Sequence, residues 1–314
     1  MAEQTPTPNE AKLLNESWME KISSGDPGLI KQAVDAVQDF TRTKMREDGF
    51  WRRIMPMLPV SNDQLTRTVD DENPVVIVDR EPDSPAAITV PFGTLPETLY
   101  IRGERYKVQF ARILTPRFTK DVDQLRTWVM DIRQVISDNA IKDALAEEDG
   151  KFLQSVNTVM IGPGFTVPTS GVVQWQQISG GITRDSLEDS MKIMPNTPSN
   201  LEVHTVLVNN ITIKDVQKFG RDEMGGDLSQ DIMKNGWTLS DFMGKTWVIT
   251  IKKNLVPTSS MYQFADPKFI GKSYELEGMS LYIRREAFLL EFFAWETIGG
   301  SIGWTSGLAR ADFV

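Results

Sequence analysis

The chain has no cysteine and a single histidine, His204, among its 314 residues. The first absence rules out disulfides, thiolate nucleophiles and cysteine zinc sites, so any assembly it enters rests on bonds that do not use sulfur. The second removes nearly all histidine metal sites and imidazole proton shuttles. His204 itself lies in the strand-like Glu202-Val-His-Thr-Val206 and reads as a structural residue rather than a catalytic base. No run of about 18 apolar residues occurs, so no segment reads as a membrane span. The start, Met-Ala-Glu-Gln-Thr-Pro-Thr-Pro, lacks the basic and apolar regions of a secretory leader, and the chain is expected to be soluble and made in a cytoplasm. Positive charge is also in the minority: 34 Lys and Arg against 43 Asp and Glu leave a net charge of −9. A protein that grips nucleic acid through its phosphates carries the opposite balance.

The familiar catalytic motifs are missing as well. There is no phosphate-binding loop. Gly299-Gly-Ser-Ile-Gly303 lacks the lysine and the following helix of a nucleotide site, and reads as a turn needing positive φ beside Trp304. Asp70-Asp71-Glu72 and Glu147-Glu148-Asp149 carry the oxygens a hard cation wants. Adjacent side chains on a helix diverge by about 100°, so the second triplet does not converge and reads as a solvated face. The eight tryptophans are scattered rather than interleaved with arginines, which suits core and interface anchoring better than base stacking. A distant carboxylate pair for glycoside hydrolysis stays open, since such residues need not be close in sequence. The reading is a chain with no catalytic residues, no metal and no cofactor.

What is present is an ordinary globular balance, 40 % hydrophobic and 25 % charged, in a chain long enough for two or three packed lobes. Residues 1–10 read as disordered. Leu13, Leu14, Trp18, Met19 and Ile22 recur at helical spacing, and Asp26-Pro27 opens a second helix striped by Leu29, Ile30, Ala33, Val34, Val37 and Phe40. Gly49–Pro59 contains Pro56 and Pro59 and is expected to be extended rather than helical. Such an apolar arm suits the surface of a neighbouring copy, with Phe50 and Trp51 as its contacts.

Residues 61–115 form a β-rich excursion. Val75–Val78, Ala87–Val90 and Tyr106–Ile113 are separated by proline, glycine and acidic breaks, and the segment has too few core residues to fold alone. Its charges are segregated. One arm holds Asp70, Asp71, Glu72, Asp79, Glu81 and Asp83 against Arg80; the other holds Arg102, Arg105, Lys107 and Arg112 against Glu104. Two readings stand side by side: cross-strand pairs within one hairpin, or acidic and basic faces that meet neighbouring subunits.

Asp121 is placed as the N-cap of a long helix, with Val122, Leu125, Val129, Ile132, Val135, Ile136, Ala140 and Leu145 on its apolar face. The stripe continues through Phe152, Leu153, Val156, Val159 and Met160, with a bend expected at Gly150. After Gly162-Pro-Gly164 short helices (Asp185–Met194, Ile213–Phe219) alternate with strands (Val203–Val208, Trp247–Ile251), a compact α/β lobe. The run Leu281–Thr297 is expected to return as strands. The fold class is α+β.

In this order the pieces resemble a tailed-bacteriophage major capsid protein of the HK97 type. The resemblance is carried by the arm at Gly49–Pro59, the excursion, the long helix with its tail Glu147-Glu-Asp-Gly-Lys-Phe-Leu153, the strand-then-helix Val206–Val216, and Asn254-Leu-Val-Pro with Met261–Gly271. It implies an HK97-like capsid fold divided into N-terminal helices and extended arm (1–60), extended β-hairpin loop (61–115), spine helix with part of a peripheral lobe (116–161), axial lobe (162–264) and return to the peripheral lobe (265–314). It also implies self-assembly into pentamers and hexamers of an icosahedral shell around double-stranded DNA, without sequence-specific binding. The implied partners are further copies of itself and scaffolding, portal and decoration proteins. The implied location is the virion, after assembly in the host cytoplasm. An encapsulin-like compartment and a carbohydrate-active enzyme are the alternatives.

Overall fold

The chain is described by a computed structural model over residues 49–68, 71–80, 89–93, 103–121, 132–161, 174–197, 199–216 and 241–314, with Gln124 and scattered positions before residue 33. The expected disordered start, most of the two N-terminal helices, Ala87 and Ile88, and Gly162-Pro-Gly164 lie outside the described residues. Trp18 is described, helical and buried with the main core.

Gly49–Pro59 departs from its expectation. Phe50–Ile54 is a short helix, α1, and only afterwards does the chain extend, as β1 (Met57–Pro59). Pro56 restricts the backbone only from Met55 onward. A residue before proline is pushed out of the helical region, and Met55, before Pro56, sits at φ −127°, ψ 93°. Helix therefore ends where the proline forces it to, leaving one turn free to form.

The excursion is a hairpin. β2 (Thr66–Thr68) pairs with β3 (Asp71–Arg80), and β3 pairs antiparallel with β4 (Glu104–Leu114) from Val75↔Gln109 to Arg80↔Glu104. Its own buried cluster is only Val76, Val78, Val108 and Phe110, in line with a segment that relies on the rest of the chain. β4 then runs on into the body of a seven-stranded sheet. The centre of that sheet is β12 (Leu289–Ile302), which pairs along one edge with β11 (Gly271–Glu286). Along its other edge lie β4 (Trp295↔Leu114 to Gly299↔Phe110) and then β5 (Phe118–Asp121). Thr115 makes the corner between them: its amide donates to Ala294 O at 2.9 Å, and its Oγ1 accepts from Ala294 N at 2.9 Å. Asp121, placed as a helix N-cap in the sequence, is the last residue of β5. The return after Leu281 is strand, as expected.

The long helix, α2, spans Ile132–Ile161, 30 residues and so about 45 Å. It passes through Gly150 without a break. Gly150 meets nothing closer than Leu255 Cδ2, at 3.7 Å from where a Cβ would sit, so nothing pushes into the backbone there. Ala140, Ile141, Ala144, Leu145, Phe152, Leu153, Val156 and Met160 are buried at helical spacings, the stripe of a helix packed along one face.

The second sheet has six strands. β7 (Thr205–Asn209) and β10 (Ser260–Phe264) are buried at every residue and lie side by side at its centre. β9 (Lys245–Thr250) and β8 (Asp241–Phe242) extend it beyond β7. β13 (Leu308–Phe313) and β6 (Trp175–Ile178) extend it beyond β10. Two short helices, α3 (Arg184–Met191, capped by the Thr183 hydroxyl) and α4 (Thr212–Val216), accompany it. β11 and β12 belong to the first sheet, but the last strand crosses back to complete the second. A single core joins α2 to both sheets.

The glycines of Gly299-Gly-Ser-Ile-Gly303 are not a positive-φ turn. Gly299 and Gly300 lie inside β12, and neither has positive φ. They are small because neighbours come close: a Cβ at Gly299 would stand 2.7 Å from Gln109 O, and one at Gly300 would overlap the Trp51 ring.

Candidate assembly surfaces and the buried ion cluster

Four elements converge where α1 meets α2. Arg52, on α1, donates from Nε to Glu148 Oε2 at 3.1 Å and from Nη2 to the other Glu148 oxygen, a two-point grip on a residue of α2. Nη2 also reaches Glu296 Oε2 on β12 at 3.0 Å, and Nη1 reaches Glu275 Oε2 on β11 at 3.3 Å. The neighbouring residue on each helix makes a second link. Trp51 N donates to Asp149 Oδ1 at 3.0 Å, and Asp149 Oδ2 accepts from Lys252 Nζ at 2.6 Å. Lys252 also donates to Leu145 O at 3.0 Å and stands over the Phe50 ring. The Trp51 indole stacks on Phe152, 5.6 Å between centroids, and donates from Nε1 to Ser273 Oγ at 2.9 Å.

Glu148, Asp149 and Glu296 are fully buried. The solvated-face reading of Glu147-Glu148-Asp149 holds for Glu147 alone, which is exposed beside Lys151. Burial pushes Glu296 up to about 9, with the adjoining Glu148 carboxylate adding to it and Arg52 opposing. Burial and the neighbouring carboxylate thus favour the protonated form of Glu296 at neutral pH. Burial also raises Asp149, against the opposing pull of Lys252 and the Trp51 amide. Burial alone would lower Arg52; the Glu148, Glu296 and Glu275 carboxylates outweigh it and hold the guanidinium firmly charged. Among the described residues no group of three or more Asp, Glu or His side chains is arranged to hold a metal ion.

The hairpin carries the second set of charges. Asp79 and Arg105 are register partners and form an ion pair at 2.8 Å, with both side chains more than 70 % exposed. Next to them Arg80 pairs with Glu104 at 3.1 Å and stands over the Trp304 ring.

Solved structures are similar to the chain over most of its length. The mature capsid of bacteriophage PhiM1 matches with a TM-score of 0.57 at 9 % identity, covering 85 % of this chain and 87 % of that one. The capsid of a native GTA particle matches with a TM-score of 0.52 at 14 % identity, covering 84 % and 89 %. The chain has the fold of phage capsid subunits. A virus-like particle from Pyrococcus furiosus is similar too, with a TM-score of 0.50 at 10 % identity, covering 89 % of this chain and 99 % of that one. No family model and no curated protein matches the sequence. The likeness is one of architecture, at 9–14 % identity.

Within it the residues singled out from sequence are distributed unevenly. Phe50 and Trp51, expected to touch a neighbour, are 3 % and 6 % exposed and buried in the chain's own core. One turn of helix puts both on the α2 side. Glu72, Lys107 and Arg112 are exposed on the hairpin strands. Asp71 belongs to β3, while Asp70, Glu81, Asp83 and Arg102 lie outside the described residues. His204 precedes β7, exposed, with its backbone bonded to Phe264 and Thr246. The residues missed are Arg52, Glu148, Asp149, Glu296 and Lys252. A signal existed for two of them: Glu148 and Asp149 fall in phase with the apolar stripe, three and four residues after Leu145 and four and three before Phe152.

Proposed function

We propose that the chain is the major shell subunit of a tailed-phage head of the HK97 type, assembling through copies of itself into pentamers and hexamers around double-stranded DNA. The observation that carries the reading is the likeness to capsid structures across 84–85 % of the chain. In these terms α1 and β1 end the N-terminal arm, the β3–β4 hairpin is the extended loop, and α2 is the spine helix. The seven-stranded sheet is the peripheral lobe and the six-stranded sheet the axial lobe. The acidic balance suits a container for DNA that must slide during filling rather than stick. The subunit works without catalysis, and a carboxylate-dependent enzyme finds little support: the buried carboxylates of the cluster are engaged by Arg52 and Lys252. Scaffolding, portal and decoration proteins are its expected partners, in a shell assembled in the host cytoplasm and kept in the virion.

A second reading, an encapsulin-like compartment, draws on the virus-like particle whose chain is matched over 99 % of its length. Particle contents separate the two. Shells from infected or producing cells should protect double-stranded DNA from nuclease; shells holding one protein cargo and no DNA favour the compartment.

A further inference from the structure

The strand that closes the second sheet is the last one made. β13 lies between β10 and β6, antiparallel to the first and parallel to the second. β6 has no other strand partner, and β10 has only β7 besides. Five of the six β13 residues are buried, and the sixth, Arg310, is a junction. Its guanidinium stands over the Trp175 ring of β6 and the Tyr262 ring of β10, at 5.2 and 5.1 Å from their centroids. It donates from Nη1 to Asn157 Oδ1 on α2 at 3.3 Å and from Nε to Asp312 Oδ1 at 2.9 Å. Asp312 also accepts from Trp175 Nε1 and Ser260 Oγ, each at 2.6 Å. Every one of these contacts has an end in β13. Without it, β10, buried along its whole length, would present a row of unpaired backbone groups, the open edge that pairs with whatever strand it meets. Synthesis runs from the N-terminus. β12, the centre of the first sheet, ends at Ile302, so the first sheet has all its strands while β13 is still to come.

We infer that β13 is a completion switch: the second sheet closes, and the subunit becomes able to join other copies, only once the C-terminal strand has left the ribosome. The assembly half of the inference rests on the shell reading; the closure half stands on the sheet order alone. Chains growing side by side on one message are thereby kept from joining before release. Folding then proceeds in two steps, with the first sheet and α2 formed ahead of the second sheet.

The absence of native cysteine supplies clean reporters. Met261→Cys, in β10 opposite Ala311, reads closure of the second sheet, and Leu290→Cys, in β12, reads the first; both native side chains are buried. Full-length chains are arrested on ribosomes with C-terminal linkers of increasing length and treated with a maleimide. Leu290→Cys should become protected at the linker that brings Ile302 out of the exit tunnel. Met261→Cys should stay labelled until a longer linker frees Val314. In the released chain, Ala311→Pro takes a backbone donor from the middle of β13. It should expose Met261→Cys, leave Leu290→Cys protected and abolish particles. Protection of both cysteines at one linker length overturns the inference. So does an Ala311→Pro chain that labels both cysteines or forms particles at wild-type yield. A wild-type chain that forms no particles, while the two linker lengths still differ, overturns the shell reading and the assembly half and leaves closure by β13 standing.

Discussion

Arg52 and Glu148, 96 residues apart in the chain, form a two-point ion pair inside the protein. One side chain thus fastens α1 to the middle of α2, and through Glu296 and Glu275 to two paired strands of the first sheet. Removing one partner of a buried pair leaves the other charge unpaired, which costs more than the pair itself contributes. Arg52→Met should therefore destabilise the subunit by about 3–5 kcal/mol, read by chemical denaturation. Arg52→Lys keeps the charge but not the planar fork and should fall between. A midpoint for Arg52→Met equal to wild type would show that the cluster holds nothing in place.

The same cluster predicts a pH dependence. Glu296 titrates near 9 in the folded chain against an ordinary 4.5. Between those values the folded protein keeps a proton that the unfolded chain has released, so this group's contribution is full below 4.5 and is lost progressively as pH rises toward 9. Glu296→Gln is neutral at every pH and should not titrate. Denaturation at about pH 5, 7 and 9 should show wild type losing stability relative to the variant, by up to about 1.4 kcal/mol per pH unit. Two parallel profiles would mean that Glu296 is ionised in the folded chain.

Two glycine substitutions should have opposite signs. Gly300→Ala drives a methyl into the Trp51 ring at the centre of the core and should cost about 1–3 kcal/mol. Gly150→Ala replaces a mid-helix glycine whose nearest neighbour leaves 3.7 Å and should stabilise by about 0.5–1 kcal/mol. Thermal melts of the two proteins on either side of wild type are the expected result; a stabilised Gly300→Ala would contradict the packing described for Trp51.

The hairpin charges separate folding from assembly. The Asp79–Arg105 pair is largely exposed, and such pairs are worth between nothing and about 1 kcal/mol. Arg105→Glu with Lys107→Glu should barely move the melt of the subunit. Assembly is expected to suffer, most of all at low ionic strength, where screening is weakest. Unchanged assembly at every salt concentration would confine these charges to pairing within their own hairpin.

Much of the fold is legible from periodicity. Val75–Val78, Tyr106–Ile113 and Trp247–Ile251 read as strands because β-branched and aromatic residues cluster between breakers, and all but Ile251 lie in strands. The α2 stripe is equally plain. Glu148 and Asp149 escape such a reading because their burial depends on Arg52 and Lys252, which reach them from 96 and 103 residues away. Only their phase within the stripe hints at it. Gly299 and Gly300 show the same limit: a glycine kept small by a distant neighbour looks, in sequence, like one kept for its φ. The return of Leu308–Phe313 to the second sheet has no local signal either, since pairing with β10 and β6 is a property of topology.

That copies of this chain build a shell is tested most directly by the mass of the purified full-length chain. Light scattering on a sizing column gives that mass, and negative-stain images of the largest fraction give its form. Rings and closed shells of uniform diameter, many times the mass of one subunit, are the expected result. A monomer at every concentration and salt, with or without the other head proteins of its source, would contradict it.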